Sequence, residues 1–166
     1  EEVSSGIEII SNDTKEQLLE APFIHLHVHS QFSVLQSTSQ IPMLIEAAHK
    51  NNMPALALTD KGNLMGAFHF IKAIKNHNNL LEDKTKEIKP IIGCEFYVCD
   101  DHKDKTRRDD GYQVVFLAKN KNGYHNLSKM SSLAYTSGLY YVPRIDKNIV
   151  KQYKEDLIVL TGNLYG

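Results

Sequence analysis

Short apolar runs alternate with amphipathic stretches along most of this chain. Four runs have the length and composition of β-strands, at 54–59, 88–98, 112–118 and 157–161. Between them apolar residues recur every three or four positions, which predicts helices at 41–48, 64–74, 124–135 and 146–153. In the second helix we expect a buried stripe of Leu64, Ala67, Phe68, Ile71 and Ile74. Strands that alternate with helices predict an α/β fold with a parallel sheet or barrel.

Residues 23–33, FIHLHVHSQFS, carry the most unusual pattern in the chain. In an extended strand alternate side chains face the same way, so His25, His27 and His29 would project from one face. Imidazole is a common ligand for zinc, iron and manganese, and two imidazoles at i, i+2 can converge on one ion. The pattern therefore indicates descent from a metal site. The alternative is a half-buried strand whose polar face consists of histidine.

A single carboxylate, Glu95, interrupts the apolar run at 88–98. Its burial is costly unless a cation or hydrogen-bond donors receive it, whereas Cys94 should point to the opposite face. In parallel α/β folds the carboxyl ends of the strands carry the chemistry. Here those ends present His27, His29, Asp60, Lys61, Glu95 and Asn163.

The composition points away from a protein that acts through charge alone. The 19 Lys and Arg nearly balance the 20 Asp and Glu, without the electrostatic footprint of a nucleic-acid or membrane-binding surface. The dense mixture of both signs at 100–110 predicts a solvated loop. Two cysteines without a wider framework, no signal peptide and no bilayer-length apolar run indicate a reducing cytoplasm. Function must therefore be argued from a site.

Two segments of unequal character divide the chain. Residues 1–22 are polar and predict a linker or tether, and residues 23–166 predict one domain. The chain starts without Met and stops just after an apolar strand. We therefore expect it to be a fragment of a longer protein.

Five strings, in this order and spacing, carry a resemblance to a known family: HLHVHSQFS, ALTDKGNLMGAFHF, KPIIGCEFYV, VFLAKNKNGYHNLSKMSS and YYVPRID. They closely resemble the N-terminal polymerase and histidinol phosphatase (PHP) domain of the alpha-subunit family of bacterial replicative DNA polymerase III, over about residues 23–166. The resemblance implies a distorted (β/α)7 barrel, here incomplete, whose strand ends bind up to three divalent metals for phosphoester hydrolysis. Some members resemble a proofreading 3′–5′ exonuclease, whereas others are degenerate and serve as scaffold.

The resemblance also assigns residues of this chain to ligand positions. His27 and His29 match the first His-x-His pair, and Glu95 matches the carboxylate after Gly-Cys. The other positions are substituted, with Gln36 for Asp, Lys61 for His, Gln113 for His and Asn163 for Cys or His. Amides are poorer ligands than carboxylate or imidazole, and a protonated amine cannot ligate. We expect no cofactor in this fragment, or weakly bound zinc, manganese or magnesium if the site is retained.

Lys61 prompts a specific hypothesis about the lost metal. Its ammonium would pair with Glu95, with Asp60 as a second candidate partner, so that the carboxylate stays charged without an ion. The alternative is that Lys61 reaches solvent from the rim. The remaining histidines are expected at the surface or in supporting positions, and Arg144 is expected to support the barrel rather than bind phosphate.

Two classes of function follow from the resemblance. In the first, the fragment is a catalytically silent module of a DNA-directed DNA polymerase, in contact with the remaining domains of that subunit, with DNA through the parent protein and with other replisome subunits. In the second, it is a metal-dependent phosphoesterase or 3′–5′ exonuclease with a reduced metal site. A free-standing phosphatase is a weaker alternative.

Overall fold

A computed structural model describes residues 21–161 and shows, within that range, five strands and four α-helices. The strands are β1 (Ala55–Leu58), β2 (Lys89–Cys99), β3 (Tyr112–Ala118), β4 (Arg144–Asp146) and β5 (Leu157–Leu160). The helices are α1 (Ile41–Lys50), α2 (Ala67–Leu80), α3 (Lys121–Thr136) and α4 (Lys147–Tyr153). A 3₁₀ turn at Lys84–Lys86 precedes β2. The predicted linker at 1–22 falls almost entirely outside the described residues.

The long strand β2 organises the sheet. One edge of β2 pairs in parallel with β1 over its first residues and with β4 over its last. The other edge pairs with the antiparallel strand β3, which in turn pairs with β5 in antiparallel fashion. Only β3 is therefore reversed relative to the other four strands.

The prediction of a wholly parallel sheet is wrong at β3. No helix separates β2 from β3, so the loop at 100–111 returns the chain directly to the neighbouring position in the opposite direction. The coarser prediction, a mixed fold of α-helices around a β-sheet, is confirmed.

The predicted histidine strand is also wrong, because the segment runs beside β1 without forming a regular ladder. The Ala57 N–H donates to the His25 carbonyl at 3.0 Å, and the Thr59 N–H donates to the Val28 carbonyl at 2.8 Å. Three residues of the histidine segment therefore lie opposite two residues at the end of β1, and the backbone of the histidine segment bends at His27. This irregularity breaks the alternation of side chains.

Within residues 21–161, three apolar clusters stabilise the fold. The first packs α1 and α2 against β1, the second packs α3 and α4 against β2 and β3, and a small third cluster, around Val115, covers the face of the sheet opposite the second. Cys94 belongs to the second cluster, whereas Glu95 points to the other face beside Val115, its partner on β3. The predicted opposition of Cys94 and Glu95 is confirmed.

Helix α2 buries only part of the predicted stripe. It presents Ala67, Phe70 and Ile74 to the core, while Phe68 and Ile71 are 71% and 43% exposed. The helix begins at Ala67 rather than Leu64, and Phe70 lies on the i, i+3, i+7 line of its buried face. No helix within residues 21–161 is long and apolar enough to span a membrane.

Both cysteines are free and buried, as predicted. Burial raises the pKa of the Cys94 thiol well above its usual value and raises the pKa of Cys99 to about 11. Neither thiol is therefore a reactive thiolate near neutral pH.

Candidate functional site

The carboxylate of Glu95 is the centre of the predicted site. Its side chain is 1% exposed, and its Oε2 accepts hydrogen bonds from Nε2 of His27 at 2.5 Å and from Nε2 of His29 at 3.0 Å. A carboxylate oxygen can only accept, so each imidazole carries a proton on Nε2. His25 does not join them; it is exposed and packs edge-on against Phe23.

Lys61 contacts the other oxygen of the Glu95 carboxylate. Its Nζ lies 3.1 Å from Glu95 Oε1. The contact is an ion pair rather than a directed hydrogen bond, since Oε1 has no partner with hydrogen-bond geometry. The ammonium also lies 5.2 Å from the centroid of the Tyr97 ring. With its side chain 13% exposed, Lys61 does not reach freely into solvent.

The backbone positions Lys61 beside Glu95. The Glu95 N–H donates to the Asp60 carbonyl at 3.1 Å, and the Gly62 N–H donates to the Glu95 carbonyl at 2.7 Å. These bonds continue the parallel pairing of β1 and β2 past the end of β1. Gly62 has a φ of +68°, and a Cβ there would lie 2.9 Å from Cγ of Pro143, so a larger residue would disturb this turn.

Asp60 has different partners from the Lys61 ammonium that was considered for it. Its carboxylate is buried and accepts from the Ser30 N–H at 2.7 Å, the Ser30 hydroxyl at 2.8 Å and the Ser33 hydroxyl at 2.7 Å. The structure therefore does not bring the Asp60 carboxylate to the Lys61 ammonium. The Asp60 carboxylate instead links the turn after the histidines to the end of β1. The two serines in HSQFS were the sequence signal for this arrangement.

The pKa of Glu95 shows which contacts dominate at this position. Burial alone would raise the pKa of this carboxyl, but the hydrogen bond from His29, the positive charge of Lys61 and the hydrogen bond from His27 outweigh it. Together they lower the pKa from 4.5 to about 2. The folded site therefore favours the charged carboxylate.

We expect Glu95→Gln to flatten the loss of stability in acid. A depressed folded-state pKa contributes stability that is present above pH 4.5 and is lost as the pH falls toward 2. The contribution is about 3 kcal/mol in full, and about 2 kcal/mol of it is lost by pH 3. Chemical unfolding of both proteins between pH 6 and pH 3 measures this difference. Parallel acid limbs for the two proteins would contradict the assignment.

The substituted ligand positions lie around this centre to different extents. Gln36 and Lys61 both line a cavity of about 250 Å³ that also includes Tyr97. Gln113 lies on β3 opposite Tyr97, two residues before the Val115 that pairs with Glu95. Asn163 lies outside the described residues.

A divalent ion does not fit these residues while Lys61 is charged. The two imidazole nitrogens lie 2.5 and 3.0 Å from Oε2, closer than the roughly 3.4 Å between donors around a tetrahedral ion with bonds of about 2.1 Å, so these side chains would have to move apart to bind an ion. An ion bound to Oε1 would lie at most about 5 Å from Nζ, a separation at which the two repel by about 7 kcal/mol at an effective dielectric of 20. Two imidazole N–H groups and an ammonium surround this carboxylate.

A second polar cluster lies at the far end of β2, and no sequence pattern indicated it. His102 was expected at the surface or in a supporting position; it is buried, and its Nδ1 lies 2.6 Å from Oδ2 of Asp146. The other oxygen of Asp146 caps α4 by accepting from two backbone N–H groups. Asp101 is close enough to complete a three-donor group, but it is exposed. The charge-rich composition of the loop masked this pairing.

Arg144 supports the fold, as expected. It is fully buried, and its guanidinium donates to four backbone carbonyls, those of His102, Asp104, Asp109 and Gly138. A group buried in this way does not meet a phosphate. It links the loop at 100–111 to β4.

A buried carboxylate that faces two histidines at the edge of a mixed α/β sheet agrees with the family that the sequence strings indicated. The chain belongs to the PHP domain family, whose profile matches residues 25–166.

The similar proteins are DNA polymerase III alpha subunits. The chain is 44% identical to that of Chlamydia pneumoniae over 146 residues, which cover 86% of this chain and 11% of the relative. It is 44% identical to that of Borreliella burgdorferi over 148 residues, covering 87% and 12%, and 34% identical to that of Helicobacter pylori strain 26695 over 145 residues, covering 87% and 11%. The chain thus spans about a ninth of the length of these relatives.

Proposed function

We propose that this chain is the PHP segment of a bacterial DNA polymerase III alpha subunit, and that this segment serves the polymerase as a structural module without hydrolytic activity of its own. Identities of 34–44% over 86–87% of the chain, together with the family match at residues 25–166, support the first part. The observation that carries the second part is the Lys61 ammonium, 3.1 Å from the carboxylate at the centre of the site.

The proposal includes the finer features of the family. The segment would form the first part of a distorted (β/α)7 barrel, and the remaining domains of the polymerase subunit would be its nearest partners. DNA and other replisome subunits would be met through the whole polymerase, in the cytoplasm. The nucleotidyl-transfer reaction would belong to other domains.

The proposed absence of hydrolytic activity rests on the chemistry of the donor side chains. Metal-assisted hydrolysis of a phosphodiester needs an ion that activates water and offsets charge on the phosphate. Here the ammonium already neutralises Glu95, and the imidazole nitrogens that would face an ion carry protons instead. The amides at 36 and 113 are weak substitutes for charged or imidazole ligands.

A second candidate function is a metal-dependent phosphoesterase or 3′–5′ exonuclease with a reduced site. The observation that favours it is the convergence of His27, His29 and Glu95, whose ligand atoms all lie within 4.8 Å of one another. Two imidazoles and a carboxylate are a donor set used by zinc enzymes.

Substitution of His27 in the full-length polymerase separates the two functions. We expect His27→Ala to leave primer extension and 3′–5′ removal of a mismatched primer end within twofold of the unmodified enzyme. The exposed His125 lies outside the site on α3, and His125→Ala is the matched control. A loss of tenfold or more in metal-dependent primer-end removal, with primer extension intact and with the control unaffected, would establish the second function instead.

A further inference from the structure

The lysine at the centre of the site differs from every other lysine that the structure describes. Among the lysines of residues 21–161, only Lys61 is not exposed. Lysine normally keeps its ammonium in water, because the charged group is costly to bury. A lysine held away from solvent therefore needs a partner, and the Glu95 carboxylate at 3.1 Å is that partner.

Lys61 is also held in place along its backbone. Its own N–H donates to the hydroxyl of Ser33 at 3.1 Å, and the residues on either side of it bond to the backbone of Glu95. Ser33 is fixed in turn by the buried Asp60 carboxylate. The ammonium thus reaches Oε1 from a rigid frame rather than from a flexible rim.

We propose that Lys61 is the resident cation of this site, and that this one side chain excludes a divalent ion from donors that would otherwise bind it. The inference rests on the proposed function, since it gives the physical reason why the site is silent. The excluded ion is a borderline transition metal such as zinc, which suits two imidazoles and one carboxylate.

Removal of the ammonium should therefore convert the site into a metal site. In Lys61→Met the carboxylate loses its internal cation, and the two imidazoles can exchange their Nε2 protons for an ion. In Lys61→His a fourth donor is added at the same backbone position. Zinc binding should tighten on the order of 100-fold or more in both variants relative to the unmodified chain.

The test uses zinc alone as the probe and the purified, untagged 166-residue chain. Affinity is measured by competition with a chromogenic chelator, and stoichiometry by elemental analysis. Lys72→Met removes an exposed lysine on α2 and is the matched control for the loss of one positive charge. Lys61→Met combined with Glu95→Gln controls for the donors and should lose the gained site. Zinc should also raise the melting temperature of Lys61→Met, but not that of the unmodified chain.

Three results would overturn the inference. The first is stoichiometric zinc on the unmodified chain that His27→Ala removes, and the second is a folded Lys61→Met that binds zinc no better than Lys72→Met. If Lys61→Met is unfolded in chelator, recovery of the folded circular dichroism signal on zinc addition supports the inference, and the absence of recovery is the third contrary result. The primer-end assay on the polymerase decides the proposed function separately.

Discussion

Arg144→Met should lower the free energy of unfolding by about 4 kcal/mol. The guanidinium donates to four carbonyls from two separate segments, the loop at 100–111 and the turn after α3. Methionine fills similar volume but donates nothing, and each carbonyl left without a donor costs about 1 kcal/mol or more. Removal of the charge itself returns part of this, because burial of a cation is unfavourable.

Denaturant unfolding of the 166-residue chain measures this loss. Arg107 is 70% exposed in the same loop, so Arg107→Met is the matched control and should change stability by less than about 0.5 kcal/mol. We also expect proteolytic cleavage within 100–111 to become faster in Arg144→Met, since the loop loses three of its anchors. A change below 1 kcal/mol, with the loop equally resistant, would show that water replaces the guanidinium without cost.

Lys61 and Glu95 should show strong energetic coupling in a double-mutant cycle measured in chelator. Lys61→Met leaves a buried carboxylate without its cation, and Glu95→Leu leaves a largely buried ammonium without its anion. Each single variant should lose about 3 kcal/mol. The double variant replaces the ion pair by two apolar side chains and should lose only about 3–4 kcal/mol, clearly less than the two single losses together, which is a coupling energy of about 2–3 kcal/mol.

The chain offers a matched surface pair as a control. Lys84 and Glu87 lie 3.5 Å apart with side chains 59% and 46% exposed. Solvent screens such a pair, so its coupling energy should stay below about 1 kcal/mol. If the losses in free energy of unfolding at Lys61 and Glu95 are additive, the two histidines alone stabilise the carboxylate. That result would contradict the role of Lys61 as its cation.

Much of the site could be read from residue types and their order. His27, His29 and Glu95 were predicted to belong together and do converge, and Lys61 was expected beside Glu95 and lies there. For Lys61 and Glu95 the prediction worked because the ends of neighbouring parallel strands meet at one edge of a sheet, and because a carboxylate in an apolar run needs a partner. For the two histidines it rested on the family resemblance, since their segment is not a regular strand.

The errors arose where contacts are distant in sequence. Asp60 was considered as a partner of Lys61, but two serines about thirty residues earlier take its carboxylate. The pairing of His102 with Asp146, 44 residues later, was not predicted. In both cases the partner is a common polar residue that local sequence does not single out.

The sequence by itself determined the family, the four helices and four of the five described strands, and the donors that gather at Glu95, because these depend on residue type and local period. Only the tertiary structure decided that β3 runs antiparallel, that the histidine segment bends out of register, and which partners Asp60 and His102 take. Those outcomes depend on which backbone groups lie within about 3 Å of a polar side chain once the chain is folded. The hydrophobic periodicity of the sequence contains no information about such distances.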